Sequence, residues 1–277
     1  MKIKQIENIL TEAGIESNEA KIEAKMLIKH FVGISDVDLF LNEEFEVSED
    51  LFAKIETAAK SRAHKRVPIQ HIIGTAHFMG EDFIVNENVL IPRDETEILV
   101  RKAVEIINNN SFKLVLDIGT GSGCIACMVA KLSQAQVIGV DISTAALQVA
   151  IDNSSKLVLF NKAVFRKSDV FSNVGEKFDV IISNPPYIPP TEKGKLQIEV
   201  SFDPDLALFA TDIEGIEFYD KISSQASEFL VEGGYLMFEL GIGQGELVKT
   251  LMDKNGFKDV QLEKDLASID RIIWGRK

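Results

Sequence analysis

Lys113-Leu114-Val115-Leu116-Asp117-Ile118-Gly119-Thr120-Gly121-Ser122-Gly123 decides the fold. The first six residues read as a buried strand running directly into a glycine loop, and Cys124 to Leu132 beyond it reads as a helix. Glycine lets the backbone turn sharply and approach a ligand closely, and the helix N-terminus behind the loop offers unpaired N–H groups. A nucleotide-type cofactor is implied. Gln136-Val137-Ile138-Gly139-Val140 is the next strand and ends in Asp141, at the spacing where a carboxylate accepts both ribose hydroxyls. A glycine loop alone leaves the cofactor open, because dinucleotide enzymes share the order strand, loop, helix, strand, acid. Here the loop is Gly-x-Gly-x-Gly, whereas the dinucleotide fingerprint spaces its last glycine one residue further along.

Downstream, Ala163-Val164-Phe165 leads into Ser168-Asp169-Val170-Phe171, and the apolar run Phe178-Asp179-Val180-Ile181-Ile182-Ser183 ends in Asn184-Pro185-Pro186-Tyr187. An amide or exocyclic amine nitrogen is a poor nucleophile because its lone pair is delocalised. Two acceptors aimed at its NH2 hydrogens, the Asn184 side-chain oxygen and the Pro185 carbonyl, draw density onto nitrogen and fix its orientation. Proline fixes φ and has no N–H, so Pro185-Pro186 can hold that carbonyl toward a cavity and out of a hydrogen-bond ladder. Tyr187 packs against the flat face of the target. The bland reading is a strand ending at a proline-rich turn. Glycine loop, acid and Asn-Pro-Pro-Tyr all fall at the carboxyl ends of successive strands, where open α/β sheets bind ligands.

That order, with Asp117 before the loop, resembles the class I (Rossmann-like) S-adenosylmethionine-dependent methyltransferases, whose sheet closes with an antiparallel hairpin. Gly234 to Leu240 fits the fifth strand, and Val260-Gln261-Leu262 with Ile269 to Trp274 fits the last two. Trp274 reads as a packing residue of that hairpin. The resemblance makes Asp169 and Val170 the adenine segment, although a solvated loop acid or helix cap serves equally for Asp169.

The first ~70 residues carry helical periodicity without strand signals. Ile3, Ile6, Ile9 and Leu10 form one stripe ending near Gly14. A second helix starts at a Ser17 cap, aligns Ala20, Ala24, Leu27 and Phe31, and stops at Gly33. Ser35 with Asp38 suggests another start, and Leu51, Ile55, Ala58 and Ala59 form a further stripe. The expected organisation is an α/β class I methyltransferase sheet with an N-terminal helical bundle: residues 1–72 for substrate recognition, residues 73–277 for a linking hairpin and the catalytic domain. A bundle that only stabilises the catalytic domain is the alternative.

Between these parts lie Arg66-Val67-Pro68-Ile69-Gln70 and Leu90-Ile91-Pro92-Arg93-Asp94-Glu95-Thr96-Glu97. With the glycine loop and Asn-Pro-Pro-Tyr (NPPY), they make the chain similar to the HemK/PrmC family of release factor glutamine methyltransferases. The resemblance implies methyl transfer from S-adenosyl-L-methionine, leaving S-adenosyl-L-homocysteine, to the side-chain amide N5 of the glutamine in the Gly-Gly-Gln motif of peptide chain release factors. It implies Gly119, Thr120, Gly121, Ser122, Gly123, Asp141, Asp169, Val170 and Asn184 for the cofactor. Asn184, Pro185, Pro186 and Tyr187 grip the glutamine, with Asn184, Pro185 and Tyr187 as the catalytic set. Arg93, Glu95, Thr96 and Glu97 are expected near the pocket wall, where an Arg–Glu structural pair serves as well. The chain departs from the family pattern at His71, Asp94, Val170 and Asp203, and 210–215 lacks the usual glycine pair. Transfer is expected to be direct and in line, driven by positioning.

Forty-three acidic against 30 basic side chains, a net charge of −13, disfavour the main rival, methylation of adenine or guanine in nucleic acid, since phosphate binding uses a basic stripe. A silent Rossmann-like binding module, the second rival, has no use for Asn184 to Tyr187. Cys124 and Cys127 form a Cys-x-x-Cys pair without a second ligand pair, so they read as packed free thiols in a reducing compartment, and no metal site is expected. Neither a signal peptide, beginning at Met1-Lys2-Ile3, nor a transmembrane run is read, giving a cytoplasmic protein that uses no membrane. Residues 188–215, opening on Pro189-Pro190, read as a mobile cover over the site.

Overall fold

The computed structural model describes residues 2–41 and 47–277, so Met1 and the 42–46 stretch of the expected first domain lie outside the described residues. The chain divides into two compact units, Met1–Thr75 with Gln197–Phe202, and Ala76–Leu196 with Asp203–Lys277.

The first unit is helical: α1 (Lys2–Glu12), α2 (Ser17–Val32), α3 (Asp36–Leu41), α4 (Glu49–Lys65) and the short α5 (Ile69–Ile73). The periodic residues converge, with Ile6, Leu10, Ala20, Ala24, Leu27, Ile55 and Ala59 at 0% exposure in one core. Ser35 and Asp38 cap α3 reciprocally, the Asp38 N–H donating to Ser35 Oγ (3.1 Å) and the Ser35 N–H to Asp38 Oδ2 (3.2 Å). One cap differs from expectation. Glu16, not Ser17, caps α2, because its carboxylate accepts from the N–H groups of Asn18 (2.8 Å) and Glu19 (3.2 Å). Arg62 is buried and donates to Glu23 (2.8 Å), Glu19 (2.9 Å) and Glu199 (2.8 Å), the last from the Gln197–Phe202 segment of this unit.

The second unit opens with a hairpin of β1 (Thr75–Phe78) and β2 (Glu81–Ile84). There follow α6 (Thr96–Asn110), β3 (Leu114–Ile118), α7 (Cys124–Leu132), β4 (Gln136–Asp141), α8 (Thr144–Lys156), β5 (Ala163–Lys167) and β6 (Phe178–Ser183). After β6 come two 3-10 turns, α9 (Asp205–Leu208), α10 (Glu217–Phe229), β7 (Leu230–Glu239), α11 (Gly245–Lys254), β8 (Lys258–Lys264) and β9 (Asp270–Arg276). Seven strands form one sheet in the order β5-β4-β3-β6-β7-β9-β8, parallel except for β9, which runs antiparallel to both its neighbours.

Side chains alternate across a strand. Val115, Val180 and Ile182 therefore meet α6 and α7 on one face, while Leu116 and Ile181 meet α10 and α11 on the other. Burial on both faces explains why these strands are near-continuous apolar runs. Cys124 and Cys127 are buried free thiols in the first of these cores, and burial pushes the Cys124 thiol up to about 12. Trp274 pairs across β9 with Met237 and Gln261 and lies under the Lys102 ammonium, 5.0 Å from the ring centre. β3 has β4 on one side and β6 on the other. The strand order reverses there, which opens a crevice at the carboxyl ends.

Candidate active site

Those carboxyl ends meet in a cavity of ≈ 310 Å3, within the range of small-molecule sites. Gly119 and Gly121 follow β3, Asp141 ends β4, Asp169 and Val170 follow β5, and Asn184, Pro185 and Pro186 follow β6; all line it. The remaining predicted residues do not. Thr120 turns its hydroxyl inward to donate to Asp117 Oδ2 (2.6 Å), Ser122 is buried, and a Cβ on Gly123 would stand 2.9 Å from Ala150 Cβ. The loop's small residues thus serve packing as well as the cavity.

Gly119 and Gly121 sit at φ 72° and 54°, a region that side chains disfavour. The Gly119 and Thr120 N–H groups donate to Val140 O at 2.9 and 3.0 Å, which ties the loop to β4. Asp141 is gripped from both sides: Oδ2 accepts from Gly121 N–H and Oδ1 from Ser143 N–H, each at 2.9 Å. Burial raises its pKa against the opposing pull of these N–H groups. Asp117, fully buried with Oδ1 unpartnered, is pushed up to about 7, chiefly by desolvation.

At the adenine segment, Val170 has φ 51°, and Ser168 Oγ steadies the turn by donating to Val170 O (2.8 Å). The Asp169 carboxylate is ion-paired with Lys221 on α10, 2.7 Å away. Its charge is therefore met by the protein itself.

Asn184 is half-buried, and its Nδ2 donates to Thr96 Oγ1 at 3.4 Å. Thr96, at the start of α6, donates in turn to Glu239 Oε2 at 2.6 Å. Tyr187 is held by its backbone: Gln244 Nε2 donates to its carbonyl (3.0 Å) and to the carbonyls of Glu214 (3.0 Å) and Gly215 (3.2 Å). Its side chain packs beside the core of the α10 face and is not among the cavity-lining groups, and burial pushes its phenol pKa up. From there the chain is pinned at both ends of a loop. Ile188 N–H donates to Leu208 O and Ala210 N–H to Ile188 O, both at 3.0 Å, so residues 188–210 leave and return at one place.

The Arg-x-x-Glu-Thr-Glu segment separates into distinct roles. Arg93 donates to the buried carboxylate of Asp203 (2.6 Å), and Glu97 accepts from Met79 N–H (2.8 Å) and Arg101 (2.8 Å). Thr96 alone of the four reaches Asn184. Glu239, Gln244 and Lys221 escaped the sequence reading. For Glu239 a signal existed, an acid at the end of an otherwise apolar strand. Among the described residues no group of three or more His, Cys, Asp or Glu side chains is arranged to hold a metal ion, and no helix is long and apolar enough to cross a membrane.

Residues 94–199 match the family model described as methyltransferase small domain, and residues 2–74 the one described as PrmC N-terminal domain. A methyltransferase crystal structure from Pyrococcus furiosus superposes with a TM-score of 0.55 at 20% identity, over 83% of this chain and 99% of that one, a likeness of fold. The release factor glutamine methyltransferase of Bacteroides thetaiotaomicron is 36% identical over 264 residues, 94% of this chain and 93% of that protein. That of Geobacter sulfurreducens is 39% identical over 273 residues, 96% of this chain and 92% of that protein. Likeness of this degree over both units, joined to a class I methyltransferase sheet, shows that the chain belongs to the release factor glutamine methyltransferase family.

Proposed function

We propose that this enzyme methylates the side-chain amide N5 of the glutamine in the Gly-Gly-Gln motif of peptide chain release factors, using S-adenosylmethionine, and so modulates translation termination. The observation that carries the reading is the opening of Asn184 and Pro185 onto the same cavity as Gly119, Gly121 and Asp141. The residues suit the cofactor: Asp141 is oriented by two backbone N–H groups with lone pairs left for ribose hydroxyls, and Val170 offers an apolar wall for a flat ring. Asp169, engaged by Lys221, borders the same end. When bound, S-adenosylmethionine supplies an electrophilic methyl group on a sulfonium.

The chain's own part is positional. Asn184 Oδ1 and the Pro185 carbonyl accept the two N–H bonds of the substrate amide, which raises electron density on nitrogen and aims it in line. Pro186 and Tyr187 wall the amide plane. Acceptors fixed before the reaction stabilise the positive charge that develops on nitrogen, and in sites of this kind such preorganised groups supply most of the rate. In this reading residues 1–72 are the substrate-recognition domain, residues 73–277 the linking hairpin and catalytic domain, and the enzyme works in the cytoplasm beside the release factors. The net charge of −13 weighs against a nucleic-acid substrate.

Mass spectrometry of a purified release factor incubated with the protein and S-adenosylmethionine tests this, beside a factor whose Gly-Gly-Gln glutamine is alanine. One methyl gained by the unaltered factor alone is the expected result. Methyl on neither factor, with cofactor bound and both factors folded, overturns it.

A further inference from the structure

We propose that Thr96 and Glu239 are positioning residues that dictate which end of the Asn184 amide faces the cavity; the inference rests on the amide-methylating role given to Asn184. A side-chain amide has an acceptor end and a donor end of nearly the same shape, and only the acceptor end can hold a substrate NH2. Something must forbid the flip. Thr96 and Glu239 do so through a chain of hydrogen bonds with one direction.

Glu239 is 2% exposed and Thr96 3%, so water does not supply their partners. An ionised carboxylate only accepts, and Glu239 Oε2 lies 2.6 Å from Thr96 Oγ1. The single hydroxyl hydrogen of Thr96 is thereby committed, and toward Asn184, 3.4 Å away, Thr96 can only accept. The order is fixed as Asn184 N–H to Thr96, then Thr96 O–H to Glu239. A flipped Asn184 would set oxygen against oxygen with no hydrogen between them. Donation from Nδ2 also enriches Oδ1, the atom turned to the substrate, because linked hydrogen bonds polarise one another. The buried charge therefore strengthens an acceptor it does not touch.

Three elements meet at Glu239: α6 with Thr96 and the adjoining Glu95, β6 with the Asn184 that follows it, and β9 with Arg271. Burial pushes the Glu239 carboxyl up to about 7, opposed by the Thr96 hydrogen bond and the Arg271 charge, while Glu95 adds to the rise. Below that pH the protonated Glu239 has a hydrogen to donate and the direction lapses. Turnover should rise with pH through about 7.

The test is steady-state kinetics on a full-length release factor with wild type, T96V, T96S and E239Q, together with calorimetric binding of S-adenosylmethionine to each. T96V should lose about 100-fold in kcat, the scale of a misplaced catalytic group. Its cofactor Kd and its KM for the release factor should stay within about threefold, since ground-state binding is untouched. T96S should restore most of the lost kcat, and E239Q should lower kcat at pH 8 and flatten its rise with pH. T96V within threefold of wild type in kcat overturns the inference, as does equal impairment of T96V and T96S, which would make the packing of Thr96 the cause. Should T96V fail to bind cofactor, E239Q decides alone: wild-type kcat and an unchanged pH profile overturn the inference. A wild type that binds cofactor yet leaves the glutamine unmethylated overturns the functional reading, and this inference with it; an active wild type beside an unaffected T96V overturns the inference alone.

Discussion

Asn184 concentrates the chemistry in one side chain. Asn184→Ala removes an acceptor aimed at the reacting nitrogen and leaves Asp141 and the glycine loop in place. Loss of one preorganised hydrogen-bonding group of this kind lowers kcat by about 100- to 1000-fold. We expect that loss with the S-adenosylmethionine Kd little changed, and measuring both on one preparation checks it; near-normal turnover would refute the role given to Oδ1. Asp141 and Asn184 were legible in sequence because each sits at the end of an apolar strand beside residues with little other use. The partners of Asn184 were not. Thr96 and Glu239 stand 143 positions apart, and only closure of the sheet beside α6 brings them together. Glu16 was missed for the opposite reason, since serine before a periodic run is the commoner cap and a carboxylate one residue earlier reaches the same N–H groups.

The strands were legible as elements because burial on both faces leaves few ways to write them, but their ends were not. β7 begins at Leu230, four residues before the expected Gly234. Its register against β6 jumps from Phe178↔Leu230 to Val180↔Tyr235, so the intervening residues bulge and Gly233 takes φ 77°. A glycine pair that reads as a strand start is an irregularity inside one. The 188–210 loop shows the same limit: the prolines announced an excursion, and only the structure reveals its base, pinned at Ile188 and at Gln244. Gly215 is part of that base. It has φ 71°, and a Cβ there would fall 2.1 Å from Tyr187 O. Gly215→Ala must therefore move the backbone that follows Pro186. We expect a lower kcat and a loss of stability of about 1–3 kcal/mol, the scale of a strained backbone position. Denaturant unfolding and turnover measured together check it, and a variant unchanged in both would show that this clasp does not hold the motif.

At the scale of the whole molecule, the fully buried carboxyls of Asp117 and Glu239 are raised from 3.8 and 4.5 to about 7. Between those values the folded protein holds protons that the unfolded chain has released. The stability they contribute is complete below about pH 4 and is lost as pH rises through about 7. The melting temperature should therefore fall between about pH 5 and 8, and a calorimetric series in matched buffers checks the sign; a steady rise would mean that these groups are ionised in the native state throughout. The division into a helical part and an α/β part was legible in the change of periodicity, but not the assignment of Gln197–Phe202 to the helical unit, which no local pattern announces. That assignment bears on how the protein is made. Arg62 is translated long before Glu199, the carboxylate that joins it from 137 positions later. During synthesis the helical unit leaves the ribosome with Glu19 and Glu23 already in place, and it acquires its last partner only after four strands of the sheet have emerged. The earliest part of the chain to be born is the part that waits for its completion.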